Sequence, residues 1–154
     1  METNLIIECP GLREGGKFPI EYTGRGRDIS PAFILKNLSP EAETLAVTLE
    51  DLSHPIKNFT HWVIWNIPAA ERIAPAVPAG KTVPSLGGAV QGLGYGLHRY
   101  AGPKPPNGKT HIYRFTVYAL SRRVELGCRS GKKAFLRRVD QLILQKGTIT
   151  GEFE

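Results

Sequence analysis

Disulfides, thiolate metal clusters and membrane spans are what this chain has least material for. Its 154 residues hold two cysteines and one methionine. Cys9 and Cys128 stand far apart, in neither a CxxC pair nor a ligand spacing, so both are expected to be free, mostly buried thiols. No apolar run approaches the ~18 residues that cross a bilayer. The opening METNLIIECPGLREGG has no basic region ahead of a long apolar stretch, so no signal peptide is expected and a cytoplasmic location is. No G-x-S-x-G elbow and no P-loop is present. No repeat or linker divides residues 1–154, which are expected to be a single domain. A chain of this length buries roughly 68–70% of its unfolded surface and needs no cross-link.

Acids are also scarce: 14 Asp and Glu stand against 20 Lys and Arg, a formal charge of +6. Eight of the basic residues lie between Arg122 and Lys146, where Glu125 and Asp140 are the only acids. Phe135 is the one aromatic residue among them and no stacking set is interleaved, so this reads as the solvated face of one helix, and nucleic acid is not expected as a partner. In the same stretch Phe135, Val139, Leu142 and Ile143 fall at i, i+4, i+7 and i+8. Ser130 is the expected N-cap and Gly147 the expected left-handed C-cap.

Most of the remaining chain has strand character. In FTHWVIWN, Phe59, His61, Val63 and Trp65 share one face by alternation, and Thr60, Trp62, Ile64 and Asn66 the other. Large apolar groups on both faces indicate a central strand. In TLAVTLED, Leu45, Val47 and Leu49 point inward while Thr44, Ala46, Thr48 and Glu50 point mostly outward. In HIYRFTVYA the inner set is His111, Tyr113, Phe115, Val117 and Ala119. Asn4–Cys9, Phe33–Asn37 and Thr148–Phe153 complete the set of expected strands. Residues 75–108 contain six Pro and eight Gly among 34 residues and show no period. Scattered apolar residues (Val90, Leu93, Tyr95, Leu97, Tyr100) argue for an ordered loop that frames something. The expected fold is mainly β: an antiparallel Greek-key-type β-sandwich with one C-terminal amphipathic helix and a long Pro/Gly-rich loop.

One strand ends at Asp51, the next carries His61, and a third opens with His111 and Tyr113 just after the Pro-rich loop. Singly, Asp51 suits a turn, His61 a satisfied core histidine and Tyr113 a core aromatic. Together, beside a stiff loop, they suit a site for an anion. Imidazole N–H, phenol O–H and free backbone N–H groups are donors, and a carboxylate fixes the tautomer of a neighbouring histidine. His61 is expected to donate to the anion, held by Asp51 or by the loop. Three or four charge-assisted bonds of about 1.5–3 kcal/mol each, set against an association cost of at least ~4 kcal/mol, give bare phosphate a micromolar-to-millimolar affinity. The alternative is a metal-dependent enzyme with Asp51, His61 and His111, joined by His54, as ligands. A hydrolase built on Ser53 and His54 fails, because adjacent extended residues face opposite ways. No cofactor is expected.

The segments KFPIEYTGRGRDISPAF, LEDLSHP, FTHWVIWNIP and YAGPKPPNGKTHIYRFTVYAL resemble, in that order, the phosphatidylethanolamine-binding protein family. The resemblance is to its Raf-kinase-inhibitor-like branch typical of prokaryotes, and extends from about Phe18 to the terminal TGEF. It implies a β-sandwich with an anion pocket at one end, formed by Asp51, Pro55, His61, Gly102, Pro105, Pro106, His111 and Tyr113. It further implies a non-catalytic binding protein for phosphate-bearing or other anionic ligands: a phospholipid head group, a phosphorylated protein or a nucleotide. Inhibition of a kinase or protease, and a homodimer, are implied in the same way. The family's usual D-P-D-A-P is Asp51-Leu52-Ser53-His54-Pro55 here, and its H-R-Y is His111-Ile112-Tyr113. GLHRY at 96–100 imitates that motif inside the loop, so His98 is assigned to loop packing, with a contact at the pocket rim as the alternative. His54–Pro55 is an expected cis peptide.

Overall fold

The computed structural model describes residues 4–57 and 59–154. Among the described residues ten strands and one α-helix follow in order: β1 (Ile7–Glu8), β2 (Gly16–Lys17), β3 (Phe33–Leu35), β4 (Thr44–Asp51), β5 (Phe59–Pro68), β6 (Arg72–Ile73), β7 (Thr82–Val83), β8 (Ala89–Gln91), β9 (His111–Leu120), α1 (Lys132–Val139) and β10 (Ile143–Phe153). A seven-stranded sheet runs β2-β10-β9-β4-β5-β8-β7, and a three-stranded sheet runs β1-β3-β6. The protein is mainly β, and the pairings between these strands are antiparallel except where β2 meets β10.

β4 lies between β9 and β5, and all eight of its residues are buried. Leu45, Val47 and Leu49 join Trp62, Ile64, Tyr113, Phe115, Val117 and Ala119 in the larger core, against Phe33 and Ile73 of the smaller sheet. Each such large side chain contributes about 1.5–3 kcal/mol on full burial. The other face of β4 is not outward as the alternation suggested. Ala46 packs there with Val63, Trp65, Tyr118, Phe135 and Val139, a second core beneath α1. The alternation was right; the cover over its second face was the part that sequence did not show.

The helix is shorter than its apolar spacing predicts. Gly131, not Ser130, precedes it, with no side-chain cap, and it ends at Val139. Leu142 and Ile143 pack onto the same second core from the following turn and strand. Gly147 is therefore a strand residue, not a C-cap. A Cβ there would lie 2.1 Å from the Leu5 carbonyl oxygen, so close backbone approach is what demands glycine. Two short strands also occupy the supposed aperiodic loop, and β8 pairs with the central strand β5 at Ile64 and Trp65. Three-residue strands lie below the length at which a period can be read.

Both cysteines are free, and burial pushes the Cys9 thiol up to about 12. Among the described residues no helix is long and apolar enough to cross a membrane.

Candidate functional site

Asp51, at the end of β4, stands opposite Tyr113 on β9 and opposite Phe59 on β5. Two-residue alternation along β4 and β9 gives Asp51 and Tyr113 the same face as Leu49 and Phe115. The Asp51 carboxylate is 3% exposed. Its Oδ2 accepts the Nδ1 hydrogen of His111 at 2.7 Å, and its Oδ1 accepts the Ser53 backbone N–H at 2.9 Å. The Ser53 hydroxyl in turn accepts the Ile112 N–H at 2.9 Å. A serine at position 53 thus ties the turn after β4 to the start of β9.

His61 reaches this face by a local irregularity. Leu49 pairs with Trp62, but the next residue, Glu50, pairs with Thr60. His61 is the extra residue of a β-bulge, which re-aims a side chain that strict alternation would send elsewhere. Its ring meets Tyr113 edge-on with centroids 5.4 Å apart, and lies 5.2 Å from Tyr95. The His61 Nδ1 donates to the Ala101 carbonyl at 2.8 Å, so the loop rather than Asp51 holds it, and its Nδ1 hydrogen is turned into the wall. Burial lowers its pKa below the ordinary imidazole value, against the opposing pull of the Ala101 carbonyl, Asp51 and the Gly102 carbonyl.

The Tyr113 hydroxyl is buried with no hydrogen-bond partner among the described residues. Burial first, then the Asp51 charge, raises its pKa, so it remains a donor. A buried hydroxyl left unpaired costs about 1–3 kcal/mol, which makes it an open valence of the site.

These groups line a cavity of about 650 Å³ together with Pro55, Pro105 and Pro106. Seven of the eight residues expected at the site therefore share one cavity. Gly102 stands behind its wall: its N–H donates to Asp28 Oδ1 at 2.7 Å, and a Cβ would lie 2.1 Å from the Tyr22 carbonyl. Tyr100 donates to that same carbonyl at 2.6 Å, and Arg25 donates to the Pro105 carbonyl. The stretch around 20–28 thus braces the proline loop.

Sequence reasoning did not assign Tyr95, Lys104 and Lys109 to the site, and considered Ser53 only for a hydrolase and His54 only for a hydrolase or a metal; all five also line the cavity. The lysines sit among the loop prolines in KPPNGK, a signal that was present but overshadowed by the ring residues. His54 stacks on Phe59 at 4.0 Å and accepts the Ile56 N–H at 3.0 Å. The bond before Pro55 is trans, because no cis peptide occurs among the described residues; the turn is closed instead by the Ser53 and Ile56 hydrogen bonds. His98 packs in the loop, its Nδ1 donating to the Gln91 carbonyl at 2.9 Å. For the metal reading, no three His, Cys, Asp or Glu side chains among the described residues converge to hold an ion.

Fold and cavity together describe a small two-sheet β protein with a cavity at a strand-end face that carries acid, imidazole, phenol and ammonium groups. The family described as phosphatidylethanolamine-binding protein matches residues 10–154. The chain belongs to that family. It is 38% identical over 154 residues to a UPF0098 protein of Archaeoglobus fulgidus, covering 98% of this chain and 51% of that one. The chain thus spans about half the length of that relative. A UPF0098 protein of Methanothermobacter thermautotrophicus is 35% identical, with 94% of this chain and 95% of that one covered. Among solved structures, a phosphatidylethanolamine-binding protein homologue from Chlamydia trachomatis aligns with a TM-score of 0.83 and 24% identity, over 99% of both chains. YbcL from Escherichia coli aligns at 0.84 and 23%, again over 99% of both. At these identities the two structures show a shared fold.

Proposed function

We propose that this chain is a non-catalytic binding protein whose cavity takes a phosphate-bearing or similar anionic group, on a small molecule or a phospholipid head group. The observation that carries the reading is the Tyr113 hydroxyl, buried and unpartnered beside the Asp51–His111 pair. Lys104 and Lys109 supply positive charge at the same cavity. A tetrahedral oxyanion offers several strong acceptors to such a set. Tyr95, which lines the cavity and is 65% exposed, gives the rest of a ligand apolar surface to rest on.

Calorimetric titration with phosphoethanolamine tests this. Affinity is expected in the micromolar-to-millimolar range, and His61→Ala and His111→Ala are each expected to weaken it about 10–100-fold, the equivalent of one charge-assisted bond. Thermal melts check that both variants fold. Equal binding by wild type and both folded variants would overturn the reading.

A further inference from the structure

We propose that the cavity selects oxyanions that still carry a proton, such as a phosphate monoester as its monoanion, over oxyanions of equal charge that carry none. The inference rests on the phosphate reading above and specifies which form of that ligand fits.

Its basis is where the two imidazoles place their hydrogens. His61 Nδ1 faces the Ala101 carbonyl, which can only accept, so that nitrogen carries the hydrogen. His111 Nδ1 faces Asp51 Oδ2 and carries a hydrogen for the same reason. In the His61 ring, kept neutral by burial, Nε2 is then a lone pair. The hydrogen bonds of both rings run through Nδ1, and both rings line the cavity. The titratable and charged groups facing His61 there are Asp51 of β4, His54 of the turn, Tyr95, Lys104 and Lys109 of the loop, and His111 and Tyr113 of β9. Burial keeps His61 neutral at pH 7.

The cup therefore holds two kinds of group. Tyr113, Lys104 and Lys109 donate; the His61 Nε2 accepts. A fully ionised oxyanion has only lone pairs and meets the His61 Nε2 lone pair to lone pair. A monoester monoanion has one P–OH to give to that Nε2 while its other oxygens take the donors. No proton needs to be transferred. The second ionisation of a phosphate monoester lies near pH ~6, so the proton-bearing form is available close to neutrality.

The test titrates the intact chain by calorimetry with three ligands at about pH 5.5 and about pH 8, on either side of that ionisation. Phenyl phosphate carries the proton at the lower pH; phenyl sulfate and methyl phenyl phosphate are monoanions without one. Phenyl phosphate is expected to bind about tenfold or more tightly than either at the lower pH, and to weaken toward the higher pH despite its added charge. Charging of a histidine would instead strengthen all three in parallel as pH falls. Parallel behaviour, equal affinities at the lower pH, or tighter binding of the dianion overturns the selection while leaving an anion pocket in place. No binding by any of the three overturns the phosphate reading itself. If His61→Ala folds, its preference for phenyl phosphate over phenyl sulfate is expected to shrink; a preference kept in full would remove His61 from the account.

Discussion

Glu50 and Asp51 are adjacent carboxylates on one strand, both buried, and they have opposite fates. Alternation sends them to opposite faces of the sheet. Glu50 finds Arg114 at 3.0 Å and Lys132 from α1, two permanent cations. Asp51 finds His111 and a backbone N–H, with an open cavity beyond. One acid is fully neutralised and enclosed; the other orients a ring whose second nitrogen is left for something else. A buried carboxylate is thus no marker of a site. What separates the two is whether the partners are themselves satisfied and whether there is volume beside them.

The largest effect should come from breaking the enclosed cluster. Glu50→Ala strands two cations at the edge of the second core and is expected to cost about 3 kcal/mol, as for other broken buried pairs. For a chain of this size that lowers Tm by roughly 6–12 °C. Burial alone would raise the Glu50 pKa, but the bonds from Lys132 and Arg114 outweigh it and leave the carboxyl below its ordinary value of 4.5. A depressed folded-state pKa gives stability that is complete above the unfolded value and lost as pH falls through the folded one. The gap between wild type and variant should therefore be full at neutral pH and narrow below about pH 4.5. Denaturant titrations at both pH values check this. A gap that persists unchanged in acid would mean that packing, not charge, holds the cluster.

Tyr113→Phe should act in the opposite direction on the other face. Removing a buried hydroxyl that has no partner relieves a penalty of about 1–3 kcal/mol, so stability should hold or rise. Phosphoethanolamine affinity should fall about tenfold. A variant that lost both stability and affinity would show that the hydroxyl is bonded within the folded protein, and the contrast between the faces would weaken.

Much of this contrast was legible in sequence. Alternation through TLAVTLED and HIYRFTVYA correctly assigned Leu45, Val47, Leu49, Phe115 and Val117 to one core, because period two survives wherever strands are long. Asp51, His61, His111 and Tyr113 could be brought together by their positions at strand ends. The path of His61 could not, since a bulge is a property of pairing between strands and leaves no mark on one of them. The helix end was misread because Leu142 and Ile143 continue its apolar spacing while belonging to the next turn and strand. Gly102 was placed in the site, but the constraint it satisfies comes from the Tyr22 carbonyl, some 80 residues earlier in a chain whose order does not reveal that contact.

The smallest expected effect tests where the site stops. Ile112 lies between His111 and Tyr113, at the position where the resembling family carries Arg. Alternation turns it away from the cavity, and it is 46% exposed and absent from the lining. Its backbone does the local work: the N–H donates to Ser53 and the carbonyl accepts from Leu52. Glu152 stands opposite it in register on β10, so an arginine introduced there would meet a carboxylate at the surface. Exposed ion pairs contribute about 0–1 kcal/mol, and surface changes of this kind stay within about 0.5 kcal/mol. Ile112→Arg should therefore leave phosphoethanolamine affinity within about twofold of wild type. A tenfold gain would mean that a long side chain at 112 bends round the end of β9 to the mouth. The outer face would then contribute to the cup, and the division between an enclosed side and an open one would have to be redrawn.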